Sequence, residues 1–125
     1  MKNPCISIII PTLNSSRYIK STLASIVIQR PKDYEVIIVD GGSLDKTPDI
    51  AKHLLRQYHV PYTVVVLPKS TVSEARNKGI ELASCNYIMF MDSDDLLPYA
   101  TINILIDMIN RESFDIVFGN YIIYN

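Results

Sequence analysis

The sequence lacks a strong charge of either sign: 12 Lys and Arg against 13 Asp and Glu leave a formal net charge of -1 over 125 residues. With no Lys/Arg stripe either, there is no electrostatic case for nucleic acid. Long apolar runs are missing too. The run at residues 6–10 is too short for the core of a signal peptide, and none approaches the length needed to cross a bilayer. The domain itself therefore reads as soluble, which leaves room for a membrane-associated parent protein. Cysteine is scarce: Cys5 and Cys85 have no CxxC spacing and no His at ligand spacing. The expectation is a reduced pair acting as small core hydrophobes in the cytoplasm. Several fingerprints are missing as well. Without GxxxxGK[ST], GxGxxG after the first strand, or GxSxG, neither a P-loop, a dinucleotide-binding Rossmann site nor a nucleophile elbow is supported. His53 and His59, on or just after the second helix, read as surface residues. There is no internal repeat, low-complexity segment or linker.

What is present is a single domain's worth of core, 48% hydrophobic and 20% charged. Residues 5–10, 34–39, 62–67 and 87–91 are short apolar, largely β-branched runs that read as buried strands. Between them come stretches with apolar residues at helical spacing. Tyr18, Ile19, Thr22, Leu23, Ile26 and Val27 form the first, with Ser15 or Ser16 as N-cap and Pro31 as terminator. Residues 45–58 form the second. Val72, Ala75, Gly79 and Ile80 mark the third, with Thr71 or Ser73 near its start. A fourth runs over residues 97–109, and residues 114–118 and 121–124 are further strand-like pieces. Strands alternating with helices of this length imply βαβ units: an α/β fold with a mostly parallel sheet and helices on both faces.

In such a sheet, ligands bind at the C-terminal ends of the strands. The most telling of these ends is Asp92-Ser93-Asp94-Asp95. Repulsion and desolvation both disfavour the charged forms of clustered carboxylates, and a divalent cation with a taste for hard oxygen reverses both effects. The competing reading is a cap for the next helix. Pro11-Thr12-Leu13-Asn14 and Asp40-Gly41-Gly42-Ser43 share the same crevice and also suit plain turns. Arg76, on the third helix, could direct its fork at phosphate. Taken together, Asp-containing loops after alternate strands suggest a metal-bound polyphosphate carrying a base and ribose.

Four blocks, SIIIPTLN at 7–14, EVIIVDGGSLDKT at 35–47, ARNKG at 75–79 and DSDD at 92–95, resemble in order and spacing the family 2 glycosyltransferases. The resemblance spans essentially the whole chain. It implies the Rossmann-like GT-A fold and a nucleotide-diphospho-sugar donor, a UDP-sugar foremost, with Mg²⁺ or Mn²⁺ as cofactor. Carried over by position, Asp94 is the metal ligand, and Asp92 contacts the ribose or the metal's water shell. Pro11, Thr12 and Leu13 line the base pocket, and Arg76 lies near the base or diphosphate. Asp95 falls outside the DxD and caps the next helix. The sequence departs from the family at two places. Gly41 stands where a second aspartate often reads the base, so Asp40 either takes that role or serves only the turn. Leu13 replaces an aromatic that often stacks on the base.

The family also places the catalytic base and the acceptor-binding residues C-terminal to the DxD. The chain is therefore expected to be a single donor-binding domain, residues 1–125, truncated at its C-terminal end and containing no catalytic residue of its own. The acceptor would be a glycan or lipid-linked glycan. The expected location is the cytoplasm, with the inner face of a membrane as a peripheral site. Residues 121–124 would mediate self-association as an unpaired strand. The competing expectations are a nucleotidyltransferase-like domain and a non-catalytic nucleotide-sugar-binding or assembly module.

Overall fold

The computed structural model describes residues 5–112, 114–117, 119 and 123. Its elements alternate as β1 (Ile6–Thr12), α1 (Ile19–Val27), β2 (Tyr34–Asp40), α2 (Thr47–Gln57), β3 (Tyr62–Val66), α3 (Val72–Leu82), β4 (Tyr87–Phe90) and α4 (Thr101–Arg111). The strands form one parallel sheet in the order β3-β2-β1-β4, in the register Ile8↔Val36, Ile8↔Met89 and Ile38↔Val64. The α/β class and the parallel sheet expected from the alternation are both present.

Period-2 geometry sorts the strand residues between the two faces. Ile6, Ile8, Ile10, Val36 and Ile38 pack in one core cluster with Leu23 and Ile26 of α1, Leu55 of α2, and Ile102 and Ile106 of α4. Ile9, Ile37 and Val39 point the other way and meet Ala75 of α3. The two central strands are therefore covered on both sides, which explains their unbroken β-branched runs. The outer strands are not: Ile88 and Phe90 of β4 and Val66 of β3 remain exposed. Among the described residues, no helix is long and apolar enough to cross a membrane.

Four expectations need correction. Ser15 and Ser16 do not cap α1. Its N-cap is Tyr18, without a side-chain cap bond, because the Ser15 hydroxyl is engaged with Leu13 and Ser93 instead. Asp95 does not cap the fourth helix, which starts at Thr101 behind Ala100 in the left-handed region (φ 67°). Pro98 restrains Leu97 from helical geometry, so no helix runs on directly from Asp95. The cysteines are not a reduced pair: Cys5 and Cys85 are joined in a disulfide, Cα–Cα 5.2 Å. Their distance in sequence misleads, because pairing Ile6 with Tyr87 brings the starts of β1 and β4 side by side. Finally, residues 114–117 form no strand. Residues 118, 121, 122 and 124 lie outside the described residues, so the expected last strand and its self-association fall there.

Candidate functional site

The strand order 3-2-1-4 reverses direction between β1 and β4, and the loops that leave their C-terminal ends flank the crevice where such sheets bind ligands. The Pro11 to Asn14 segment lies on one side, and the acidic loop after β4 on the other.

Asp40, the last residue of β2, is fully buried. Its Oδ1 accepts hydrogen bonds from Thr12 Oγ1 (2.7 Å) and Ser43 Oγ (2.6 Å). Its Oδ2 accepts from the backbone N–H of Gly42 (3.1 Å) and Ser43 (2.7 Å). Four donors fill the acceptor capacity of a carboxylate. As a consequence, Asp40 and Thr12 tie the β1 and β2 loops together. Gly41 follows directly, its N–H donating to Thr12 O at 2.8 Å and its carbonyl accepting from Lys69 N at 3.0 Å. A Cβ at Gly41 would lie 3.5 Å from Ser70 Oγ and 3.6 Å from Thr12 O, which is ordinary contact. Ser70 Oγ is shielded from water and has no hydrogen-bond partner among the described residues. Leu13 projects into solvent, 58% exposed.

The two loops are cross-tied further out. Asn14 N donates to Ser43 Oγ and accepts, through Oδ1, from Leu44 N, both at 2.8 Å. Asp45 accepts from Ser16 N (3.1 Å) and Thr47 N (3.0 Å). The Thr47 hydroxyl, against opposing desolvation and with help from the Thr47 and Ser16 N–H groups, holds the Asp45 carboxyl down to about 2. At the opposite end of the strands, burial pushes the Glu35 carboxyl up, but hydrogen bonds from Ser7, Ser84 and Cys85 outweigh it and leave a net lowering.

Beyond β4, Asp92, Asp94 and Asp95 each present a carboxylate oxygen, all within 4.8 Å of one another and all exposed. A turn closes the group: Asp95 N donates to Asp92 O at 3.2 Å and Asp92 N to Asp95 Oδ2 at 3.4 Å. Asp95, set aside as a cap by the sequence, thus belongs with the other two. Three converging hard-oxygen donors suit Mg²⁺ or Mn²⁺, so the residues fit the cation that the DxD pattern implies. Arg76 Nη2 reaches Asp92 Oδ1 at 3.4 Å, and its guanidinium lies over the Phe90 ring, 5.8 Å from the centroid. The Arg76 Nε is shielded and has no partner among the described residues.

α1 and the residues that flank it hold this loop. Ser15 and Ser93 hydroxyls pair at 2.8 Å, and Thr22 Oγ1 donates to Ser93 O at 2.9 Å. Ser25 Oγ accepts from Leu97 N at 2.9 Å. Gln29, fully buried, donates to Pro98 O (2.9 Å) and accepts from Ile102 N (3.1 Å). The sequence reading missed Ser70, Ser93, Ser25 and Gln29 as site-building residues. Only Gln29 left a signal, a polar residue just past the apolar stripe of α1.

The family model for "Glycosyl transferase family 2" matches residues 7–125. Glycosyltransferase GlyA of Streptococcus pneumoniae is 32% identical over 96% of this chain and 17% of its own length. A PGL/p-HBAD biosynthesis glycosyltransferase of Mycobacterium bovis is 36% identical over 98% of the chain and 48% of its own. Among solved structures, S. aureus TarS 1-349 in complex with UDP-GlcNAc superimposes with a TM-score of 0.80 at 31% identity, covering 86% of this chain and 31% of that one. The chain belongs to glycosyl transferase family 2, and its α/β sheet is the Rossmann-like part of the GT-A fold. It spans between 17% and 48% of the length of these two curated relatives.

Proposed function

We propose that the chain is the donor-binding part of a glycosyltransferase, holding a nucleotide-diphospho-sugar through a divalent cation at Asp92 and Asp94, with Asp95 beside them. The observation that carries this reading is the convergence of three carboxylates on the β1/β4 switch point. Pro11, Thr12 and Leu13, in the loop across the crevice from the acidic cluster, would border the base. With its acceptors filled, Asp40 shapes that loop rather than reading the base. Arg76, whose guanidinium already lies beside Asp92, would face the diphosphate. A bound Mg²⁺ or Mn²⁺ would neutralise charge on the leaving diphosphate. The TarS complexes with UDP and with UDP-GlcNAc support a UDP-sugar as donor, destined for a hydroxyl of a glycan or lipid-linked glycan.

Transfer also needs a base to take the acceptor's proton. Neither His53 on α2 nor His59 beyond it lies in the loops at the strands' C-terminal ends. The base would come from the longer protein, and this chain alone would transfer little or no sugar. One feature favours a second reading, a non-catalytic nucleotide-sugar-binding module: the base-side pair of Asp40 and Gly41 presents no free carboxylate.

Thermal melting with UDP-, GDP- and dTDP-sugars, with and without Mn²⁺, tests the proposal. A ligand that binds only the folded state raises the melting temperature. Metal-dependent stabilisation by one donor, lost in Asp94→Ala, is expected. No shift with any nucleotide-sugar in a folded sample would overturn it.

A further inference from the structure

We propose that Thr22 of α1 is a positioning residue for the metal-ligating loop, a proposal that rests on the donor-site reading above. Ser93 stands between Asp92 and Asp94 and is gripped twice. Its carbonyl accepts from Thr22 Oγ1 at 2.9 Å, and its hydroxyl pairs with that of Ser15 at 2.8 Å. With the Ser93 carbonyl held by α1 and its hydroxyl by Ser15 in the loop before that helix, the neighbouring carboxylates are left exposed, where their oxygens and that of Asp95 come within 4.8 Å of one another. Three like charges at that spacing repel, so a loop of irregular backbone needs an external hold to keep them convergent.

α1 supplies the hold as a rail. Thr22 and Ser25, at i and i+3, share one face of the helix, and Gln29 follows two residues past its end. The Ser25 hydroxyl is used in both directions, donating to Thr22 O at 2.7 Å while accepting from Leu97 N at 2.9 Å. Gln29 fixes the far end through Pro98 O and Ile102 N. Thr22 is 1% exposed and is the member of the rail that touches the backbone between the two DxD aspartates. Valine would fill the same volume without the donor. Residues that orient metal ligands in this way commonly change metal affinity by an order of magnitude or more.

The test compares Mn²⁺ binding in the presence of UDP, followed by the loss of free-ion electron paramagnetic resonance, with metal-free UDP binding by calorimetry, both well below the melting transition. Thr22→Val is expected to weaken Mn²⁺ binding about tenfold while metal-free UDP affinity stays within about twofold, and Thr22→Ser restores the ion. If Thr22→Val does not fold, Ser15→Ala removes the other grip on Ser93 and should show the same selective loss. Unchanged Mn²⁺ affinity, or parallel loss of Mn²⁺ and UDP, would overturn the positioning role while leaving the donor site standing. A wild-type chain that binds UDP but no Mn²⁺ would overturn both.

Discussion

Gly79 of α3 crosses Ile9 of β1 so closely that a Cβ on the glycine would stand 2.3 Å from Ile9 Cγ2. Ile9 is fully buried and its branched methyl has nowhere to retreat. This approach brings α3 down onto the sheet, and Arg76, one turn earlier on the helix, lies over β4 as a result.

Gly79→Ala should therefore destabilise the fold. Overpacking costs about 1–3 kcal/mol, against the roughly 1 kcal/mol of helix propensity that alanine regains. A lower urea midpoint with an unchanged slope is the expected result. A midpoint equal to or above wild type would show that α3 can lift away without cost.

Gly41 offers the opposite case, because a Cβ there would meet its neighbours only at ordinary contact distance, 3.5 Å at the nearest, and its backbone is not in the left-handed region. Gly41→Asp should fold normally and place a free carboxylate beside the base, where Asp40 has none to spare. Uracil presents an N–H at the ring position where cytosine presents an acceptor. The variant should thus gain preference for UDP over CDP by about tenfold, the range of a hydrogen bond to a charged group. An unchanged ratio by calorimetry would place the base elsewhere in the crevice.

Asp45 gives a pH signature. Its folded pKa of about 2 lies below the ordinary 3.8, so the unfolded chain binds more protons between those values. The stabilisation is therefore complete above about pH 4 and lost as pH falls towards 2. Asp45→Asn should melt below wild type at pH 7, and the gap should close between about pH 4 and pH 2. A gap independent of pH would mean that the ties to Thr47 and Ser16 do not depend on the charge.

The regular elements were legible because each rests on a local pattern. Ile8, Ile9 and Ile10 are β-branched and unbroken, which suits a central parallel strand. Thr71 with Glu74 forms the capping box that starts α3. Asp92 and Asp94 stood out as costly charges at a strand end. The boundaries around the site were harder to read. Ser15 looked like a helix cap and Asp95 like another, since serine and aspartate serve caps, turns and ligand shells with the same atoms. Which use wins depends on what else lies within 3 Å or so.

The sequence by itself determined the alternation of strands and helices, the family, and the acidic loop as the centre of the site, because periodicity and motif spacing are properties of the chain. Tertiary structure alone decided that Thr12 completes the set of donors around Asp40, that Cys5 meets Cys85, and that Thr22 grips Ser93. Two of these three depend on the pairing of β1 with its neighbours: β2 brings Asp40 to Thr12, and β4 brings Cys85 to Cys5. The third depends on α1 packing beneath the loop that leaves β4. Contacts between residues tens of positions apart are set by which strands pair and how the helices pack on them, and no local pattern encodes that.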